Sequence, residues 1–309
     1  MGKSKKKKIK ALLLFSGGLD SILAAKILAR QGIRVTAFTL TSHFFDAGQA
    51  KKSAEENNIQ LVTKDFSKKH LEIVKNPCYG RGVGMNPCVD CHLLMIGEAK
   101  KIAAREKYNF IATGEVLGQR PMSQNFEALK IIEREAGLVG KILRPLSAKV
   151  LPETEMEKSG MVDRRKLIGI SGRSRKEQIG LAKKYGIKNY PSPAGGCILT
   201  DKEYSRKLLD LLEKVKNIKS SDLALLRIGR HFWNGPAKII LGRDHEENLA
   251  LKKMAEKGDI LLELKDLPGP LALVRGKNKK MIELAKEKIL KYSKKLKNKK
   301  PEFSVLSQD

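Results

Sequence analysis

The sequence contains no apolar run that approaches the roughly 20 residues needed to cross a bilayer. The short apolar stretch at residues 11–15 follows a lysine-rich start and ends in a Ser-Gly-Gly turn, so it indicates a buried strand and not a signal peptide. These absences predict a cytoplasmic protein with no membrane partner. With 309 residues and 41% apolar content, the chain is long enough for two domains, each with its own core.

Cysteine is scarce as well, with four thiols in the chain, at positions 78, 88, 91 and 197. In the reducing compartment predicted above, so few cysteines argue against a disulfide framework. Three of the four lie in motif-like contexts. This placement favours a chemical or metal-binding role.

Acidic residues are too few to balance the basic ones, since 34 Asp and Glu stand against 62 Lys and Arg for a formal net charge of +28. Residues 1–10 alone contain six lysines. Such a field attracts a polyanion, and RNA or DNA is the natural candidate. A heat-adapted, lysine-rich surface is the alternative, but such surfaces usually pair lysine with glutamate. The charge therefore favours a nucleic-acid partner.

The most informative motif is a break in an apolar run, where small polar residues follow at once: Ser16-Gly17-Gly18-Leu19-Asp20-Ser21. A strand, a tight turn and the start of a helix are predicted there. Glycines let the backbone approach an anion, and the first N–H groups and the dipole of a helix point at it. Ser16 and Ser21 add hydroxyl donors, and Asp20 is placed to help hold Mg²⁺. The spacing differs from the Walker pattern, because no lysine follows the glycines.

These six residues resemble the PP-loop of the ATP pyrophosphatases, which cleave ATP between the α- and β-phosphates and activate a carbonyl oxygen as its adenylate. The resemblance implies that residues 16–21 bind ATP with Mg²⁺ and that Asp20 is needed for adenylation. It also implies an adenine site near Leu40 and Gly114.

Strand and helix patterns alternate along the first two thirds of the chain, with strands at 34–40, 59–63 and 110–114 and helices at 47–57 and 95–107. This alternation predicts βαβ units and an α/β fold with a doubly wound parallel sheet, whose ligand lies beyond the carboxyl ends of the strands.

A smaller α+β module is predicted to follow, with strands at 223–232, 237–241, 259–264 and 271–274 and helices at 245–257 and 279–294. The predicted divisions are a basic arm (1–10), a PP-loop domain (11–204), an α+β domain (205–295) and a basic tail (296–309).

The cysteines carry a second signal, because Cys88 and Cys91 form a C-x-x-C before a predicted helix and Cys197 lies in a Gly-Pro loop. Three thiolates can hold a [4Fe–4S] cluster with one iron left open to present a sulfide. A persulfide on Cys197, resolved by Cys88 or Cys91, is one alternative. A zinc site completed by Cys78 is another.

Together these segments resemble the tRNA thiouridine synthetases. The matching stretches are the cysteine trio, the Thr-Gly-x-x-Leu-Gly-Gln segment at 113–119 and the Leu-Arg-Pro-Leu stretch at 143–146. The resemblance implies that Cys88, Cys91 and Cys197 are cluster ligands and that Gly114 and Gln119 border the nucleotide.

A weaker likeness joins residues 226–243 to the RNA-binding module of NFACT-type ribosome quality-control proteins. There, four basic residues would contact phosphates beside two aromatic rings, namely Arg227, Arg230, His231 and Arg243 beside Phe232 and Trp233. Simple packing of the two aromatic rings is the alternative.

The function predicted from these parts is an ATP-dependent tRNA sulfurtransferase that adenylates a uridine carbonyl and replaces its oxygen with sulfur. Asp20, Cys91 and Cys197 are the predicted catalytic residues. The partners are tRNA and a sulfur donor, either sulfide or a persulfide carrier, and a homodimer is left open. A PP-loop amidating ligase with structural zinc and a non-catalytic RNA-binding protein are the alternatives. The five histidines show no metal-ligand spacing and are assigned no catalytic role.

Overall fold

The computed structural model describes residues 8–191, 197–276, 279–293 and 301–307. It divides into two compact units, residues 1–200 and 201–309. The sequence placed this division after residue 204, a position that lies within a helix of the second unit. Most of the predicted basic arm and residues 192–196 of the predicted cysteine loop lie outside the described residues.

The first unit contains a five-stranded parallel sheet of order β3-β2-β1-β4-β5, which confirms the predicted doubly wound architecture. Its strands are β1 (Lys10–Leu14), β2 (Arg34–Thr41), β3 (Gln60–Asp65), β4 (Phe110–Thr113) and β5 (Ile142–Leu143). Its helices are α1 (Leu19–Ala29), α2 (Gly48–Glu56), α3 (Ser67–Lys75), α4 (Cys88–Arg105), α5 (Phe126–Glu135), α6 (Glu155–Lys158) and α7 (Lys176–Lys184).

Alternate residues of β1 enter two different cores, which explains why this strand is apolar throughout. Ala11 and Leu13 pack with α1 on one face of the sheet, whereas Leu12 packs with Phe38 and α4 on the other. A parallel sheet covered on both faces buries its central strands completely. The carboxyl ends of β1 and β4 therefore lie side by side at one edge of this buried sheet.

The helix after the C-x-x-C begins earlier than the sequence indicated, at Cys88 and not at residue 95. Both cysteines of the pair thus lie in the first turn of α4.

The segment after Gln119 contains the ordered helix α5, which is capped by the Asn125 side chain through a 2.8 Å hydrogen bond from the Ala128 N–H.

The second unit is built on a five-stranded antiparallel sheet of order β10-β8-β9-β7-β6. Its strands are β6 (Arg230–Asn234), β7 (Ala237–Leu241), β8 (Ile260–Leu264), β9 (Ala272–Arg275) and β10 (Phe303–Ser307). Its helices are α8 (Lys202–Lys214), α9 (Ser220–Leu225), α10 (His245–Met254) and α11 (Lys279–Tyr292).

The predicted strand at 223–232 is wrong in its first half, where α9 and a turn precede β6. The turn is fixed by Gly229, which has a φ of +65° and whose Cβ, if present, would lie 2.6 Å from the Leu241 carbonyl oxygen. A short apolar run does not distinguish strand from helix by itself, and here a glycine divides it. Within the predicted basic tail, β10 pairs with β8 from Phe303 to Ser307.

Among the described residues, no helix is both long enough and apolar enough to cross a membrane.

Candidate active site

The loop between β1 and α1 is held in a tight conformation by its own backbone and by its neighbours. Gly17 has a φ of +77°, and a Cβ there would lie 2.6 Å from the carbonyl oxygen of Gln49. The Ser53 hydroxyl donates to the Gly17 carbonyl at 2.8 Å, and the Ser21 hydroxyl donates to the Gly18 carbonyl at 2.8 Å. Only glycine fits at position 17, and α1 begins directly after the turn.

Asp20 lies at the start of α1 and is the centre of a hydrogen-bond relay. Its Oδ2 accepts from Gln119 Nε2 at 2.7 Å, and Gln119 Oε1 accepts from Gln178 Nε2 at 3.0 Å. The guanidinium of Arg175 lies 3.6 Å from the same carboxylate. Asp20 Oδ1, Arg175 Nε and Gln178 Oε1 are buried and have no hydrogen-bond partner among the described residues. Unpaired buried polar atoms grouped in this way are available to bond a polar ligand or water.

Gly114 brings the end of β4 into contact with the start of α1. A Cβ at Gly114 would lie 2.7 Å from the backbone N and Cα of Ser21, so any side chain would separate the two elements. The segment that follows, residues 115–119, therefore begins directly against the loop.

The same segment leads to a second buried network, centred on Glu115. Its carboxylate accepts from Arg144 Nε at 2.9 Å and from the Thr113 hydroxyl at 2.9 Å, and it contacts His92 Nδ1 at 2.8 Å. Arg144 also pairs with Glu133 of α5. Burial alone would raise the pKa of Glu115, but Arg144 and then His92 lower it to about 2. Glu115 is therefore an anion at neutral pH.

The three candidate cysteine ligands approach one another where α4 begins. Cys88 Sγ accepts from Asn86 Nδ2 at 3.2 Å, and the Met85 N–H donates to the Leu199 carbonyl at 2.8 Å, which brings the segment after Cys197 to the loop before α4. Burial raises the pKa of the Cys91 thiol, and the nearby Cys197 and Cys88 raise it further. The candidate donor set is thus the Cys88–Cys91 pair with Cys197 nearby, but among the described residues no group of three or more His, Cys, Asp or Glu has the geometry to hold a metal ion.

Asp90, between the two cysteines, holds the loop that carries Cys78. Its carboxylate accepts from the N–H groups of Cys78 and Tyr79 at 2.9 and 3.1 Å. Both of its oxygens therefore accept hydrogen bonds from backbone N–H groups, which is a structural role. Cys78 itself is exposed.

The remaining sequence-predicted nucleotide residues fall into two groups. Ser16, Gly17, Gly18, Asp20, Ser21, Gly114 and Gln119 meet at the sheet edge, as their motifs required. The side chains of Leu19 and Leu40 instead enter the two cores, where they are 1% and 3% exposed, so they shape the site by packing.

Sequence reasoning missed several polar residues that complete this edge, namely His92, Glu115, Arg144, Arg175 and Gln178. Two of them lie inside motifs already recognised, Glu115 in the segment at 113–119 and Arg144 in the stretch at 143–146. Their position inside recognised motifs is the sequence signal that could have identified Glu115 and Arg144. His92, assigned no role from sequence, is joined to Glu115 only by the tertiary fold.

In the second unit, the predicted RNA-contacting residues separate into engaged and available groups. Two residues are engaged within the protein. His231 Nε2 lies 2.9 Å from the Ile228 carbonyl oxygen, and burial lowers the pKa of this histidine to about 4. Arg243 pairs with Glu247 at 2.6 Å. Arg230 lies 4.7 Å from the ring centroid of Tyr292, on the edge strand β6. Trp233, on the same strand, is only partly buried.

Comparison with known families decides the identity of the first unit. The family model described as "Thiamine biosynthesis protein (ThiI)" matches residues 7–178, more than half of the chain. The chain belongs to the ThiI family. A second model, "NFACT protein RNA binding domain", matches residues 229–309 of this ThiI-family chain.

Individual relatives carry related names. A "Probable tRNA sulfurtransferase" of Finegoldia magna is 32% identical over 148 residues, 45% of this chain and 36% of that protein. A "tRNA sulfurtransferase" of Desulfurococcus amylolyticus is 33% identical over 146 residues, 44% of this chain and 29% of that protein. The matched part thus spans about a third of these relatives. A solved structure titled as a 4-thiouridine synthetase–RNA complex with bound ATP is 22% identical, with a TM-score of 0.40 over 70% of this chain and 52% of that one.

Proposed function

We propose that this ThiI-family chain is an ATP-dependent tRNA sulfurtransferase that activates a uridine carbonyl as its adenylate and replaces the oxygen with sulfur. The observation that carries the proposal is the double attachment of residues 113–119. Gln119 is bonded to Asp20 of the nucleotide loop, and Glu115 contacts His92, the neighbour of Cys91. One short segment therefore joins the candidate ATP site to the candidate sulfur site.

In the first half of the reaction, ATP and Mg²⁺ bind at residues 16–21, where the start of α1 supplies N–H groups and dipole. The uridine oxygen attacks the α-phosphorus, the bond to the β-phosphate oxygen breaks, and pyrophosphate leaves. Arg175 is a cation beside Asp20 that neutralises charge on the departing phosphates. Gln119 and Gln178 hold the Asp20 carboxylate in one orientation.

In the second half, sulfide attacks the activated carbon, the bond from that carbon to the adenylate oxygen breaks, and AMP leaves with the original oxygen. Cys88, Cys91 and Cys197 are proposed as ligands of a [4Fe–4S] cluster, because Cys88 and Cys91 share the first turn of α4 and the segment after Cys197 is hydrogen-bonded to the loop before that helix. Such a cluster would have one iron without a protein ligand, and the chemistry it would supply is a place for the incoming sulfide. Glu115 and Arg144 fix His92 at this end of the site.

RNA is proposed to reach this chemistry with help from the second unit. The matched RNA-binding family and the partly buried aromatic residues on the edge strand β6 support that assignment. The net charge of +28 fits the same polyanionic substrate.

The reaction is tested by following AMP release and thionucleoside formation on unmodified tRNA after purification without oxygen. We expect Asp20→Ala to abolish both products. Asp163→Ala, which removes a carboxylate paired with Arg165, serves as the matched control and should leave both unchanged. AMP release at the natural rate in Asp20→Ala would contradict the assignment of the loop.

The sulfur site is tested separately by its metal content. Iron and acid-labile sulfide at about four each per chain, lost in Cys197→Ala and kept in Cys78→Ala, are the expected result. Cys197→Ala should still release AMP while it forms no thionucleoside. Stoichiometric zinc without iron would contradict the cluster and indicate a structural zinc site instead.

A further inference from the structure

Three lysines converge on one buried carboxylate on the surface of the first unit. Glu98, in the middle of α4, has a side chain that is 2% exposed, and its oxygens lie 2.6 Å from Lys64 Nζ, 2.7 Å from Lys69 Nζ and 3.2 Å from Lys101 Nζ. The lysines come from β3, α3 and α4 respectively. Three separate elements thus build one cluster, which we call the Glu98 lysine cluster.

The charges of this cluster do not cancel. The hydrogen bonds from Lys64 and Lys69 lower the pKa of Glu98 to about 2, so the carboxylate contributes a single negative charge against three positive ones. Each ammonium has three donors, and the lysine side chains are 43%, 58% and 68% exposed. The cluster therefore presents a net positive charge and spare N–H donors to solvent.

Stability alone does not account for this arrangement. The three lysines are exposed, ion pairs of exposed side chains typically contribute little to stability, and like charges gathered in one place repel each other. A ligand with several negative charges would offset the excess, and the buried carboxylate would keep the lysines in place before the ligand arrives. The phosphates of a nucleic-acid backbone have this chemistry.

The position of the cluster connects it with the candidate sulfur site. Cys91 and Glu98 are seven residues apart within α4, which places them on the same face of the helix about 10 Å apart along its axis. A groove of about 700 Å³ runs beside the cluster, and its lining includes Lys69, Lys100 and Lys101 together with Glu135 and apolar residues. An RNA strand bound in this groove would lie along α4, the helix whose first turn carries Cys91.

We infer that the Glu98 lysine cluster is a docking site for the phosphate backbone of the RNA substrate, located on the nucleotide-binding unit itself, with Glu98 as the residue that organises it. The inference rests on the proposed function and extends it, because it assigns RNA contacts to the first unit in addition to the second.

The test compares tRNA binding by the full chain across a series of KCl concentrations. Lys69→Gln with Lys101→Gln removes two charges but keeps side chains that can donate to Glu98. Each lost phosphate contact should reduce the slope of log K against log salt by roughly 0.9, and affinity near 0.1 M salt should fall by about 10- to 50-fold.

Two further variants make the test specific. Lys183→Gln with Lys184→Gln removes the same charge from exposed positions on α7 and should change the slope by much less. Glu98→Gln removes the carboxylate that holds the lysines together, so binding near 0.1 M salt should weaken a few-fold although the variant carries one more net positive charge, an effect opposite in sign to that expected from net charge alone.

The outcomes separate this inference from the proposed function. If the natural chain binds tRNA and the Lys69/Lys101 double variant has the same slope and affinity, the cluster is not an RNA site, although the sulfurtransferase proposal stands. If both double variants lose affinity equally, the effect is one of net charge and the inference is overturned. If the natural chain fails to bind tRNA at all, both proposals fail.

Discussion

Each unit places an arginine in a network of carboxylates, and the two networks differ in their completeness. In the second unit, Arg275 donates from all three guanidinium nitrogens, to Asp259, Asp222 and Ser221. In the first unit, Arg144 pairs with Glu115 and Glu133, but its Nη2 is buried without a hydrogen-bond partner in the described part of the chain. A complete network serves the fold, whereas one with a spare donor at the carboxyl edge of a parallel sheet is placed to receive a ligand.

The largest effect should come from breaking the two networks in turn. Arg144→Met leaves Glu115 buried without its guanidinium, so we expect a loss of about 3–5 kcal/mol in the free energy of unfolding, together with loss of AMP release. Arg275→Met should also cost about 3–5 kcal/mol, because Asp259, whose side chain is 4% exposed, loses its guanidinium, although Asp222 keeps Lys238 at 2.7 Å. It should leave AMP release intact in the folded protein.

The single tryptophan makes this comparison measurable, since Trp233 belongs to the second unit. In urea titrations, Arg275→Met should lower the urea midpoint of the Trp233 fluorescence transition. Arg144→Met should lower the midpoint of the far-ultraviolet circular dichroism transition that reports unfolding of the first unit. Equal loss of AMP release in both variants would show that the two networks are not functionally different.

A second effect concerns pH. Because the pKa of Glu115 in the folded state, about 2, lies below its usual value near 4.3, its stabilising contribution is complete above about pH 5 and is lost as the pH falls toward 2. The linkage amounts to roughly 3 kcal/mol. Between pH 5 and pH 3, Glu115→Gln should therefore lose less stability to urea than the natural chain does, while both share the loss that comes from Glu98, whose pKa is also about 2. An unchanged pH dependence in the variant would mean that Glu115 is not strongly ionised in the fold.

The smallest effect should come from a helix cap that supports the incomplete network. Asn125 caps α5, and α5 carries Glu133, so Asn125→Ala should cost about 1 kcal/mol and leave the Trp233 transition in place. Asp244 caps α10 in the second unit through the Glu247 N–H, and Asp244→Ala is the matched change that should move that transition. A shift of the Trp233 signal by Asn125→Ala would show that the units unfold together.

The sequence predicted what depends on local pattern. The apolar run at 11–15, the strand pattern at 110–114 and the Ser-Gly-Gly turn were sufficient to predict the loop before α1 and the parallel sheet, since both follow from strand burial and glycine geometry. The strand predicted over 223–232 was wrong in its first half, because an apolar run there fits a helix equally well. Only the contact of Gly229 with Leu241 in the folded protein separates α9 from the strand.

The polar connections of the site could not be predicted in the same way. His92 and Glu115 are 23 residues apart, and Asp20 and Gln119 are 99 apart, so each pair is brought together only when strands and helices pack. Motifs identified the segments that contain Glu115 and Arg144, but no periodicity indicates which of their side chains face each other.

Gly114 gives the site a mechanical property. Because its backbone lies directly against Ser21, no side chain separates the first turn of α1 from the end of β4. Under the proposed function, we therefore expect a phosphate bound at that turn to shift Glu115 and Gln119, and the reactivity of the Cys91 thiol to change with ATP binding. A thiol reagent at α4 would serve as a gauge of nucleotide occupancy.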